Sequence, residues 1–176
     1  MVVYFNMLKI AYLFIALVTW VGSALAQAEA AETRLPPYST HYDPARDPFA
    51  DGRAAITLAK VTQRQILIEV GGDWCKWCHV LDRFIKSDKQ IEQALYQTFV
   101  VLKVNVSDEN SNEKFLSAFP GNLGYPHMYV ADMEGKVIHS QDTGAFLSNF
   151  KYSKQKFLAF LKKWQLKIPD NKDNGK

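Results

Sequence analysis

The segment ILIEVGGDWCKWCHVLDRF, residues 66–84, sets the tightest limit on what this chain can become. Ile66, Leu67, Ile68 and Val70 form a short apolar run closed by Gly71 and Gly72, the pattern of a strand buried on both faces. Beyond the glycines, Val80, Leu81, Phe84 and Ile85 recur at helical spacing, so a helix follows the turn. Cys75 and Cys78 fall where strand hands over to helix, with Cys75 at the helix start. They are the two cysteines of the chain. A structural disulfide gains most by closing a long loop, since the entropy it removes from the unfolded chain grows with loop length. This pair would close almost nothing. Its spacing suits chemistry: a redox dithiol, half of a metal site or, with His79 next in line, a c-type haem attachment sequence.

The compartment follows from the N-terminus. Lys9 precedes IAYLFIALVTWVGSALA, an apolar run without a charge, and Ala24-Leu25-Ala26 has the small-x-small form of a cleavage site. The three features together read as a secretory signal peptide over residues 1–26; an uncleaved membrane anchor ranks second. Losing residues 1–26 deletes Lys9 and no acid, so the formal charge falls from +3 to +2. A chain so close to neutral gives no electrostatic reason to bind nucleic acid. Export to the periplasm or beyond puts the cysteines where a disulfide persists, and the mature form is expected to be a soluble monomer.

Residues 27–50 include LPPYSTHYDPARDPF, whose four prolines suggest an extended arm. Asp51 suits a helix cap ahead of Ala54, Ala55, Ile56, Leu58, Ala59 and Val61. Ser87-Asp-Lys-Gln90 has the form of a capping box that restarts a helix through Ile91, Ala94 and Leu95. TFVVLKVNV, residues 98–106, is a second buried strand, and Glu113 to Phe119 a short helix. HMYVADMEGKVIHS reads as a hairpin turning at Asp132 to Gly135. Ser153 caps a last helix with Phe157, Leu158, Leu161 and Trp164 toward the core. Lys151, Lys154, Lys156, Lys162, Lys163 and Lys167 crowd this helix without an acid, as on a solvated outer face or a surface for an acidic partner. Residues 169–176 form a polar tail. This order of elements implies an α/β sandwich, a mixed central sheet flanked by helices in three layers.

From about Asp51 to Ile168 the chain resembles the thioredoxin-fold family. ILIEVGGDWCKWC, KVNVSDEN, GYPHMYV and KFLAFLKKW carry the likeness, and WCKWCHVLDRF followed by SDKQIEQAL is similar to exported thioredoxin-like proteins with a WCxWC site. The resemblance implies a thiol–disulfide oxidoreductase acting on protein thiols and disulfides. Cys75 is then the nucleophile, its thiolate favoured over an ordinary thiol of pKa about 8.5 by the helix N-terminus. Cys78, one turn inside, resolves the mixed disulfide. Glu69 matches the family's buried acid, able to carry the proton of Cys78, and Lys103 matches the lysine beside that acid. Pro126, after Tyr125, matches the cis-proline that shapes the peptide site. Trp74 and Trp77 suit an apolar rim for substrate, while Lys76, His79 and His127 stand near enough to tune the thiolate.

No cofactor is required by this reading. Zinc needs two ligands beyond the cysteines, and only histidines and acids remain. A haem would consume both thiols and need His79, with Met128, Met133 or His127 opposite. It would also need the apolar side chains that pack the helix after Cys75. A third possibility keeps the fold as a non-catalytic binding module. The Lys-Trp dipeptide between the cysteines differs from those of thioredoxin and of strong oxidants, so the direction of electron flow stays open. A reductase or isomerase is favoured, with a membrane-spanning reductase as electron source.

Overall fold

The computed structural model describes residues 35–166, and a compact unit begins at Pro37. The expected signal peptide, the first residues of the arm and the polar tail lie outside the described residues. At the centre is β1, Gln65–Gly71. It runs parallel to β2, Phe99–Asn105, and antiparallel to β3, His127–Ala131, giving the order β2-β1-β3-β4 with β4 at Val137–Asp142. A parallel pair needs a crossover, supplied between β1 and β2 by α2, Lys76–Ser87, and α3, Lys89–Thr98. The β3–β4 connection is the expected hairpin. The carboxylate of Asp132 accepts from the amides of Glu134 and Lys136 at 3.1 and 2.8 Å.

Alternation along the strands sorts two cores. Leu67, Val101, Met128 and Val130 pack with Leu81, Ile85, Ile91, Leu95 and the last helix, α5, Lys154–Trp164. Ile66, Ile68, Val70, Val100, Leu102 and Tyr129 pack on the other side, against Ala55 and Ala59 of α1, Pro48–Thr62. The result is the expected three-layer α/β sandwich with a mixed sheet.

Several boundaries differ from the sequence expectation. Helix α1 starts at Pro48, before Asp51, because the Asp47 carboxylate accepts from the amide of Phe49 and proline suits the first helical position. Asp51 instead sits inside that first turn, buried and held by Arg46, whose Nε donates at 2.6 Å. Asp88, not Ser87, caps α3, accepting from the amides of Gln90 and Ile91 at 2.9 and 3.4 Å. Lys154 of α5 reaches the same carboxylate at 2.5 Å. In α5 the deep positions are Phe157, Phe160 and Leu161, with Leu158 and Trp164 only partly buried. A single turn, α4, Glu113–Leu116, stands where a longer helix was expected.

The arm is the largest departure. From Pro37 onward it folds against the sheet, beginning with a 3-10 turn at Pro37–Ser39. The Ser39 hydroxyl donates to the Val101 carbonyl at 2.5 Å, satisfying the backbone of the edge strand β2. Tyr38 and Tyr42 are buried. Their aromatic area outweighs the tendency of the neighbouring prolines toward an extended, solvated chain. A small hairpin of β5, Leu147–Ser148, and β6, Lys151–Tyr152, precedes α5 and had no clear signal in the sequence.

Candidate functional site

Cys75 occupies the N-cap of α2 with extended backbone, φ −83° and ψ 102°, and its Sγ accepts from the amide of Cys78 at 3.1 Å. The two sulfurs are joined as a disulfide, with Cα atoms 5.2 Å apart. Both cysteines are buried, Cys75 at 3% exposure and Cys78 fully. The flanking Trp74 and Trp77 are 60% and 40% exposed. So the reactive bond lies at the floor of a shallow aromatic rim, with the free amides and positive dipole end of α2 directed at Cys75.

The two glycines explain how the floor closes. A Cβ on Gly71 would fall 2.5 Å from Cys78 Sγ and 2.9 Å from the Tyr42 hydroxyl oxygen. A Cβ on Gly72 would fall 2.6 Å from the Trp74 indole nitrogen and 2.7 Å from the Val106 carbonyl. That nitrogen donates to the Val106 carbonyl at 2.5 Å, fixing one edge of Trp74, while the ring stands perpendicular to Tyr125 with centroids 5.7 Å apart. The close approach of the second cysteine to the end of β1 requires glycine there.

Beneath the disulfide lies a buried polar network. Glu69 points to the α2 side of the sheet and is 1% exposed. Its Oε1 accepts from the Tyr42 hydroxyl and from Lys103 Nζ at 3.3 Å. Glu69 and Lys103 are cross-strand partners on β1 and β2. Lys103 also donates to Asp82 at 2.5 Å, and its ammonium lies 4.6 Å from the centre of the Tyr42 ring. Burial opposes the charge on Lys103, but Glu69 and Asp82 overcome it and hold the ammonium above the ordinary lysine pKa. Burial, then the Glu69 carboxylate, pushes the Tyr42 phenol well above its usual value, so it stays a donor. Tyr42 also packs directly with Cys75 and Cys78. One side chain thus touches both the acid and the thiol pair.

Two members of this network were not picked out from sequence. Asp82 carries a signal in retrospect: it follows Cys78 by four residues and so shares its helix face. Tyr42 carries none, since an aromatic residue in a proline-rich segment gives no hint of packing on a strand that begins more than twenty positions later.

The remaining predicted residues divide. Tyr125 packs at the edge of the cysteine cluster. The Tyr125–Pro126 bond is cis, and the Thr143 hydroxyl donates to the Pro126 carbonyl at 2.7 Å. His127, next along β3, is 3% exposed; its Nε2 meets the Ser140 hydroxyl at 2.8 Å and its Nδ1 is buried without a partner. Burial lowers its pKa, only partly offset by Asp142. His79 is exposed and turned back to the Asp73 carbonyl, 2.7 Å from Nε2, so it braces the loop. Lys76 is exposed beside Trp77. Among the described residues no group of three or more His, Cys, Asp or Glu side chains is gathered to hold a metal ion. Among them, too, no helix is long and apolar enough to cross a membrane.

Known proteins share this fold. The crystal structure of a disulphide isomerase from Xylella fastidiosa Temecula1 superposes with a TM-score of 0.60 at 25% identity, covering 74% of this chain and 97% of that one. The oxidised C-terminal domain of DsbD from Neisseria meningitidis has the same fold, with a TM-score of 0.51 at 18% identity over 67% of this chain and 96% of that one. In sequence, the thiol:disulfide interchange protein DsbD of Citrobacter koseri is 31% identical over 78 residues. That stretch is 44% of this chain but 14% of the DsbD protein. The DsbD of Photorhabdus laumondii is 22% identical over 96 residues, 54% of this chain and 16% of that protein. A cysteine pair at a helix N-terminus has the chemistry that thiol–disulfide exchange needs. Over residues 36–174 the sequence matches the family described as "Thioredox_DsbH: Protein of unknown function, DUF255", and the chain belongs to that thioredoxin-fold family.

Proposed function

We propose that this protein is an exported thiol–disulfide oxidoreductase that acts on protein substrates as a reductase or isomerase. The observation that carries the reading is the Cys75–Cys78 pair at the N-cap of α2, set directly on the Tyr42–Glu69–Lys103–Asp82 network. In the reduced protein, the Cys75 thiolate attacks one sulfur of a substrate disulfide. An S–S bond forms to Cys75, the substrate S–S bond breaks, and the first substrate thiolate leaves. Cys78 then gives up its proton and attacks Cys75 Sγ, releasing the second substrate thiolate and closing the Cys75–Cys78 disulfide. Two electrons pass to the substrate.

The resolving step needs a proton acceptor in a place closed to water. Glu69 takes that role, and Tyr42, touching both the acid and the cysteines, connects them. Lys103 and Asp82 keep the acid charge-balanced through the step. Trp74, Trp77 and Tyr125 form the rim, and the backbone before Pro126, outside the β3 ladders, is the part that pairs with an extended peptide. Regeneration needs a dithiol donor. A membrane-spanning reductase is the donor we propose; the relatives named thiol:disulfide interchange protein support exchange with another protein, and Ala24-Leu25-Ala26 supports cleavage before Gln27.

One preparation tests the reading. Protein recovered from the exported fraction is expected to begin at Gln27 by N-terminal sequencing. Its Cys78→Ser variant is expected to accumulate mixed disulfides with other proteins through Cys75. Alkylation of Cys75 should proceed well below the pH at which a thiol of pKa about 8.5 becomes reactive. A variant that stays free of mixed disulfides while the wild-type pair cycles would rule out protein substrates, and an intact Met1 in the membrane fraction would replace export with anchoring.

A further inference from the structure

The two-residue turn between β5 and β6 places Asn149 and Phe150 at positive φ, 48° and 58°. Tight hairpin turns of this kind favour Asn at the first position and glycine at the second; a bulky residue in the second position is strained. Phe150 is also 89% exposed. A strained backbone and an apolar ring in water both cost free energy, and neither helps the fold.

The ring forms the lip of a groove that starts beside the disulfide. Trp77, Val80 and Phe84, spaced along one face of α2, make one wall, and Tyr152 of β6 joins Phe150 in the other. The Tyr152 ring stands edge-on to Trp77, centroids 6.0 Å apart, and lies 5.4 Å from Phe84. Lys76, the residue after Cys75, and Lys151, after Phe150, line the same groove. No carboxylate lines it, and among the described residues neither lysine has an ion-pair partner. Among the described residues, Lys151 brings the lysine-rich C-terminal region into this groove.

We infer that this groove docks the redox partner, taking an extended segment in which an apolar side chain stands next to a carboxylate. The inference rests on the thiol–disulfide reading, which supplies the partner. Aromatic walls suit one anchoring apolar side chain, and the paired lysines select its acidic neighbour and speed encounter. The strained turn of Phe150 then serves to present its exposed ring to that segment.

The test uses the exported full chain and two short cysteine-free peptides, one carrying Phe-Glu and one Phe-Lys at its centre. The Phe-Glu peptide is expected to shift the NMR signals of the Trp77 indole and the Phe150 amide, and to bind about tenfold more tightly than its lysine counterpart. Phe150→Gly, which suits the turn and so preserves the fold, should weaken that binding about tenfold; Lys151→Glu should abolish the preference. Equal binding of the two peptides, shifts confined to Trp74, or no response to Phe150→Gly would overturn the inference. So would a dimer that Phe150→Gly dissociates, or binding of phosphatidylglycerol vesicles through the same residues without peptide binding. Exchange with bis(2-hydroxyethyl) disulfide, too small to need the groove, separates the two readings. It should be unchanged in Phe150→Gly. Peptide binding without any exchange would sink the redox reading and leave the groove standing.

Discussion

A carboxyl group inside a strand needs hydrogen-bond partners to remain there. Glu69 finds one on the neighbouring strand, Lys103, and one from the arm, Tyr42. Replacing it with glutamine keeps an acceptor oxygen but leaves Asp82 as the one carboxylate beside the buried Lys103, so Glu69→Gln is expected to lose about 1–3 kcal/mol of stability. It should also slow the attack of Cys78 on a preformed mixed disulfide by about tenfold or more, leaving the first attack by Cys75 nearly intact. Tyr42→Phe removes only the hydroxyl and should slow the same step. If the two residues serve one proton path, the double variant will be no slower than the slower single one, because members of a unit are non-additive. Rapid-quench kinetics on the isolated mixed disulfide reads all three. Additive losses would break the link between Tyr42 and Glu69.

Helix α2 shows why element and chemistry are inseparable here. Its inner face carries Leu81 and Ile85 into one core, while Cys78 and Asp82, one turn apart, reach the polar network. Leu81 is fully buried. Leu81→Ala should cost about 2–5 kcal/mol in urea unfolding, the usual loss for a buried leucine. Because the same helix holds both cysteines, this variant should also lower the exchange rate, although Leu81 packs in a different cluster from the cysteines. Unchanged exchange in the destabilised protein would mean that α2 keeps its cysteines in place without that packing. The N-cap of this helix was legible from the strand–glycine–cysteine succession. That of α3 was misassigned by one residue, since Ser87 and Asp88 both fit a cap and only Asp88 can also meet Lys154 from α5.

Across the whole molecule, pH should act through His127. The ring is buried and held below its ordinary pKa, so the folded state resists the proton that the unfolded chain accepts near pH 6.5. Stability is therefore complete above that value and falls as the pH drops through it, by at most about 1.4 kcal/mol per pH unit for one proton. His127→Gln should flatten the fall of the denaturation midpoint below about pH 6.5; an unchanged slope would assign the acid sensitivity elsewhere. Read by itself, the sequence determined the α/β class, the strand–cysteine–helix succession and the hairpin, which rest on periodicity and turn residues and so leave a local pattern. The pairing of Glu69 with Lys103 came only from the family resemblance. Tertiary structure alone decided that the proline-rich segment returns to cover β2, that Tyr42 lies against Cys78, and that Phe150 faces a groove beside the disulfide. Such contacts join residues far apart in the chain, and burial of a side chain by a distant segment leaves no periodic trace in either one.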